Sequence, residues 1–317
     1  MTSAHTPHIL MILTSHRLDC FRLAIDCLVR GGSAERFDKV VVLCNGVVGA
    51  HRRYVDSLPR RFPAVHWDFI HGPRGKGWRI SNLQNECVRR YPGALYFKID
   101  EDVFVSGDWD LRLLETYEQY HARPDLALVS ATIPNNALGA WKLLRDDPGA
   151  RAEFLRLPHA DWQPDAPGSC DAVWAFPHLA IWLIRRYLSI DAAQHQFRAL
   201  PPDTRWLEWH ARFSINCILY DYRHWCELGG VQEHDEVDWG DWIRQRNALV
   251  VFDGHAICQH YTFFVQQDWL DRTGLLEELR RANVPGTSSA LDPLRPALRL
   301  FRQLPRIVRR RLGATSP

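Results

Sequence analysis

Short unbroken apolar runs alternate with helically spaced apolar positions along residues 8–131. His8 to Leu13 has the character of a buried strand. Asp19 to Arg30 repeats apolar residues at helical spacing (Phe21, Ile25, Leu28, Val29) and closes on Gly31-Gly32. Lys39 to Leu43 predicts a second strand, Asn45-Gly46 a turn, residues 50–58 a short helix and Val65 to Ile70 a third strand. A helix over Ile80 to Arg90 leads into a fourth strand, Ala94 to Ile99, and Leu126 to Ala131 is a further strand. Such alternation predicts the α/β class, with a mostly parallel sheet wound with helices.

The second half is less regular. Residues 134–172 are rich in Pro, Asn, Asp and Gly and read as long connections around a helix near Leu138 to Leu144, with a lid as one use for them. Ala180 to Ile190 is a buried apolar element. Trp206 to Trp225 predicts a helix carrying Trp209, Phe213, Cys217 and Tyr220 on one face, and Leu249 to Tyr261 predicts two strands joined by a turn at Asp253-Gly254.

Composition narrows the class without naming a function. The chain has 317 residues, 46% hydrophobic and 24% charged, enough for one large globular domain. No apolar run approaches the roughly 20 residues of a membrane span, and Ile9 to Leu13 is too short for a signal-peptide core, so a cytoplasmic protein is expected. The eight cysteines form no CxxC pair and sit in apolar stretches, which predicts free core thiols. Thirteen tryptophans are many; Trp162, Trp174, Trp206, Trp209, Trp239 and Trp242 are candidates for stacking on a sugar. Basic character concentrates in residues 291–317, where seven arginines face one acid, Asp292, while the rest of the chain is net acidic.

The fourth strand runs straight into Asp100-Glu101-Asp102. In open α/β sheets ligands bind beyond the carboxyl ends of the strands, so these acids fall at the mouth of the expected crevice. Packing does not explain them, because an unpaired buried charge costs several kcal/mol. A hard divalent cation does: Mg²⁺ or Mn²⁺ takes one or two carboxylates and completes its shell with water and phosphate oxygens. The plainer alternative is an acidic turn capping a helix that begins near Trp109. A second acidic cluster, Glu233, Asp235, Glu236 and Asp238, follows Gly229-Gly230 and opens a helix-like segment, where acids also suit the helix dipole. His260 ends an apolar strand 24 residues after Glu236.

These pieces, in this order and spacing, resemble the nucleotide-sugar glycosyltransferases of the GT-A fold, closest to the family 2 type. The resemblance covers residues 8–131 and 228–265 and hardly touches 132–227. It implies a Rossmann-like GT-A catalytic domain over residues 1–275, split into a nucleotide-sugar half (8–131) and an acceptor half (132–275), followed by a basic helical tail (276–317). The implied reaction is inverting, metal-dependent transfer of a sugar from a nucleotide-diphosphate donor, a UDP-sugar being the expected one, to a hydroxyl of a glycan or lipid-linked acceptor. By resemblance, Asp100, Asp102 and His260 would hold the metal. Glu236 would be the general base, with Asp235 and Asp238 next in order. Thr14, Ser15, Arg17, Asn45, Asn85, Asp100 and Glu101 would line the nucleotide site, and Arg74 or Lys76 in His71 to Gly77 would meet the diphosphate.

The His71 to Gly77 loop lacks P-loop spacing. A sugar-phosphate nucleotidyltransferase is the rival reaction, but the segment after the first strand, Leu13 to Asp19, lacks the glycines it requires; a non-catalytic sugar- or nucleotide-binding module is the other alternative. In the tail, residues 293–312 place Leu294, Leu298, Phe301, Leu304, Val308 and Leu312 at near-helical spacing among arginines, with Pro305 breaking the run. That pattern suits peripheral attachment to an anionic membrane surface at its inner face, not nucleic acid.

Overall fold

The computed structural model describes residues 5–261 and 266–284. Its sheet contains β1 (His8–Thr14), β2 (Lys39–Asn45), β3 (Trp67–Gly72), β4 (Leu95–Asp100), β5 (Val103–Val105), β6 (Leu126–Thr132), β7 (Trp206–Trp209), β8 (Cys217–Asp221) and β9 (Leu249–His260). The spatial order is β3-β2-β1-β4-β8-β6-β9-β5, with β7 also on β9. From β3 to β4 every pairing is parallel, as the sequence pattern predicts for the first half. Beyond β4 the sheet is mixed: β8 runs antiparallel to β4 and β6, β9 is parallel to β6, and β5 and β7 are antiparallel to β9.

Both faces of the sheet are covered, and the strands show why. In β1, Leu10 and Ile12 pack into one core with Phe21, Ile25 and Leu28 of the helix Leu18–Arg30. Ile9 and Met11 face the opposite core with Leu83, Cys87 and Val88 of the helix Trp78–Arg90. Side chains alternate in a strand, so a strand buried on both sides reads as an unbroken apolar run. All eight cysteines are free and all but Cys226 are buried, as predicted.

Two expectations are corrected. The predicted helix over Trp206 to Trp225 is instead β7, β8 and the short helix Tyr222–Leu228. Leu249–His260 is one continuous strand, not a hairpin: Asp253 is fully buried, its carboxylate accepting hydrogen bonds from Arg205, Thr116 and the His255 N–H. The extra residues bulge, and the pairing to β6 jumps from Ala131↔Asp253 to Thr132↔Ile257. Residues 134–172 contain the helix predicted near Leu138 to Leu144. The helix Ala137–Asp146 buries Ala140, Trp141, Leu143 and Leu144 in a core shared with Phe154, Leu179 and Leu183.

Near the end of the described residues the helix Leu275–Asn283 packs Leu275 and Leu279 against Cys20, Leu23 and Tyr261 of the body. The basic amphipathic segment 293–312 lies outside the described residues. Among those described, no helix is long and apolar enough to cross a membrane.

Candidate functional site

A cleft of about 770 Å³ opens at the carboxyl ends of β1, β2 and β4 and reaches the start of the helix Asp235–Arg246. Ser15, Arg17, Asn45, Arg74, Lys76, Asp100, Glu101, Asp102, Asp235, Glu236 and His260 all line it. Thr14, Asn85 and Asp238 do not.

The three consecutive acids have three different surroundings. Lys98 precedes Asp100 by two residues on β4, so the two side chains share a face. The buried Lys98 Nζ stands 2.7 Å from Asp100 Oδ1, close enough for an ion pair though not angled for a hydrogen bond, and donates instead to the Ile215 carbonyl. Burial pushes the Asp100 carboxyl up to about 6, against the pull of Lys98 and with help from the nearby Asp102 charge. Asp102 is the partner of His260: Nε2 lies 3.5 Å from Oδ2. The sheet brings them together, since β5 pairs with the end of β9 in the register Val103↔His260 and the Tyr261 N–H donates to the Asp102 carbonyl. Burial opposes both charges, yet their mutual attraction holds the Asp102 carboxyl below and the His260 imidazolium above their ordinary values.

Glu101 turns toward the loop after β1. Its carboxylate accepts from the Thr14 hydroxyl at 2.7 Å and from the N–H groups of Ser15, His16 and Arg17 at 2.9, 3.1 and 3.2 Å. Thr14 also meets His51 Nε2 at 2.9 Å. Thr14 and Glu101 therefore shape the loop, while Ser15 and Arg17 stand on its cleft side. Arg17 is buried and held by Asp19 and Asp271 beside the Tyr261 ring.

Asn45 plays a comparable part at the next strand end. Its amide donates to the Gly75 carbonyl at 2.8 Å and accepts from the Gly75 N–H at 2.9 Å, which fixes the loop bearing Arg74 and Lys76, both exposed at the rim. Gly46, at φ +68°, lets the loop approach, because a Cβ there would stand 2.1 Å from Arg74 Cβ. Asn85 sits away from the cleft: it donates to the Val231 carbonyl and accepts from Val231 N–H and Trp225 Nε1. It holds the Gly229-Gly230 turn.

That turn delivers the second acidic cluster. Asp238 accepts from the His234 N–H at 2.9 Å and so caps its own helix. Asp235 accepts from the Glu236 N–H at 2.7 Å and lies 3.5 Å from Gln84 Nε2. Glu236 reaches into the cleft with both oxygens engaged: Oε1 accepts from Arg212 Nε at 3.0 Å and Oε2 from the Ile215 N–H at 3.2 Å.

Lys98, Arg212 and Asn216 are cleft residues that the sequence reading did not single out. A lysine inside an apolar run, two residues before an acid, was a usable signal for Lys98. Arg212 and Asn216 lie between β7 and β8, where the chain was misread as helix.

Asp100, Asp102 and His260 offer oxygen and nitrogen donors suited to Mg²⁺ or Mn²⁺, but among the described residues no three such side chains are grouped as a ready-made metal shell. Asp100 Oδ1 is buried with the Lys98 ammonium beside it, and together with Asp102 it would give an open site of one or two carboxylates that phosphate and water would complete.

The sequence matches no protein-family model and no curated protein. Among solved structures it is similar to a mannosyltransferase from Pyrobaculum calidifontis in complex with GDP-Man and Mn²⁺, at 12% identity and TM-score 0.48 over 95% of this chain and 70% of that one. It is also similar to GalNAc-T7 with UDP, GalNAc and Mn²⁺, at 10% identity and TM-score 0.47 over 81% of this chain and 44% of that one.

Proposed function

We propose that this protein transfers a sugar from a nucleotide-diphosphate donor to an acceptor hydroxyl, in a single inverting displacement that depends on a divalent cation. The observation that carries this reading is the pairing of groups across one cleft. Asp100, Asp102, His260 and Glu236 all line it, with the exposed Arg74 and Lys76 at its rim. Its size suits a nucleotide with an attached sugar.

In this reading Asp102, Asp100 and His260 hold Mn²⁺ or Mg²⁺. When bound, the ion offsets negative charge on the departing nucleoside diphosphate. Arg74 and Lys76 add cationic groups at the diphosphate. Ser15, Arg17 and the Asn45-clamped loop position the nucleotide, with a UDP-sugar the expected donor. Glu236 takes the proton of the acceptor hydroxyl as its oxygen bonds to the anomeric carbon. The bond from that carbon to the β-phosphate oxygen breaks, and its electron pair leaves with the diphosphate. Attack opposite the leaving group inverts the anomeric centre. Arg212 and the Ile215 N–H hold Glu236 in place for this step.

The test is release of nucleoside diphosphate from a panel of sugar nucleotides, with glycans as acceptors and Mn²⁺ present. Glu236→Gln is expected to lower turnover by 10²-fold or more while nucleotide binding persists, the usual scale for losing a general base. Undiminished turnover in Glu236→Gln would refute this assignment of the base. Nucleotide binding with no turnover in the wild-type protein would favour a binding module.

A further inference from the structure

We propose, resting on the glycosyl-transfer reading, that a second cleft beside Glu236 binds one neutral saccharide ring of the acceptor against Trp174, Trp209 and Asp171. This cleft measures about 290 Å³, and Arg212 and Glu236 line it as well as the main one. A group bound there meets the same carboxylate that the donor cleft contains. The volume sits at the small end of ligand sites and suits a single ring better than a nucleotide.

The lining selects the chemistry. Leu138 and Phe213 are buried and form an apolar floor, while the half-buried indoles of Trp174 and Trp209 supply aromatic surface. The Trp209 N–H donates to the Arg212 carbonyl at 3.0 Å, which fixes its ring, and the Arg212 guanidinium lies 6.0 Å from the Trp174 centroid. A pyranose has an apolar C–H face to lay on an indole and hydroxyls to offer a carboxylate. Asp171 is exposed and has no ion-pair partner among the described residues, so it is available as that acceptor. Charge argues for a neutral ring: Arg212, the one cation of the lining among the described residues, is already committed to Glu236, and Asp171 repels an anion.

The full chain is probed by saturation-transfer NMR with the methyl glycosides of glucose, galactose, mannose, N-acetylglucosamine and glucuronic acid. Thermal shifts with UDP, GDP, CMP and dTDP plus Mn²⁺ are recorded in parallel. At least one neutral glycoside is expected to bind, and its affinity to fall about tenfold in Trp174→Ala, the scale of one lost aromatic contact, and about tenfold in Asp171→Asn, the scale of one lost hydrogen bond to a charged group. The nucleotide shifts should stay as in the wild type. Asp171 is exposed, so Asp171→Asn decides the matter if Trp174→Ala does not fold. The proposal is overturned if no glycoside binds, if the glucuronoside binds tightest, or if neither substitution weakens binding. Loss of the metal-dependent nucleotide shift in the wild type would instead refute the transfer reading, and the glycoside data would still judge the cleft.

Discussion

Three neighbouring carboxylates at the end of one strand line the same cleft and have three different sets of partners. Asp100 sits beside Lys98 and Asp102 beside His260, whereas Glu101 gathers four donors from the loop after β1. The Lys98 partner is legible two residues before Asp100, whereas His260 comes from another strand and the donors to Glu101 include backbone N–H groups that no side-chain pattern advertises. Replacing Glu101 by alanine strips buried donors of their acceptor, at about 1–3 kcal/mol for each group left unpaired. Chemical denaturation of Glu101→Ala should therefore show a loss of roughly 3 kcal/mol or more, with Glu101→Gln less affected. A change within about 0.5 kcal/mol would mean that the loop holds without its clamp. Asn85 teaches the same lesson: its position matched a family feature, yet its amide is spent on Val231 and Trp225.

Elements were legible where a strand or helix followed its own periodicity and illegible where the surroundings overrode it. β8 lies between β4 and β6 with both faces covered, so its residues lack polar alternation, and Trp209, Phe213, Cys217 and Tyr220 fell by chance at helical spacing. Asp253-Gly254 carried a hairpin signal, but Arg205 arrives from a distant segment to neutralise the buried aspartate and the strand runs on. The helix bearing Glu236 depends on a similar remote contact. Trp239 of that helix donates its N–H to His224 Nε2 at 2.7 Å, and burial depresses the His224 imidazole to about 4. The unfolded imidazole titrates near 6.5, so between that pH and about 4 the unfolded chain binds a proton that the folded chain does not. Stability from this group is complete above 6.5 and should fall by roughly 3 kcal/mol as the pH drops through that window. Urea unfolding from pH 7 to 4 should show a shallower decline in His224→Gln than in the wild type; parallel curves would exclude His224 as the titrating group.

Gly46 makes a second prediction about an element. Alanine there would collide with Arg74 and occupy a positive φ, so Gly46→Ala should displace the rim loop and weaken nucleotide binding more than it weakens the fold. Titration calorimetry beside a melting curve separates the two effects. Equal affinity in wild type and variant would mean that the loop takes no part in holding the nucleotide.

Across the whole molecule, the half built on parallel strands was readable because its connections are local, whereas β7 and β8 form only by pairing with β4, β6 and β9, strands that come before and after residues 132–227. That segment also carries Arg212, Trp174 and Trp209, which share the smaller cleft with Glu236; the two indoles were candidates in the sequence, whereas Arg212 was not. The central claim is that the Asp100–Asp102 strand end and His260 recruit a cation for a nucleoside diphosphate. Its most direct measurement is calorimetric binding of UDP, GDP, CMP and dTDP with and without Mn²⁺, in the wild type and in Asp102→Ala. The account predicts that one nucleotide binds tightly only when Mn²⁺ and Asp102 are both present. Binding of the same strength without metal, or in Asp102→Ala, would contradict it.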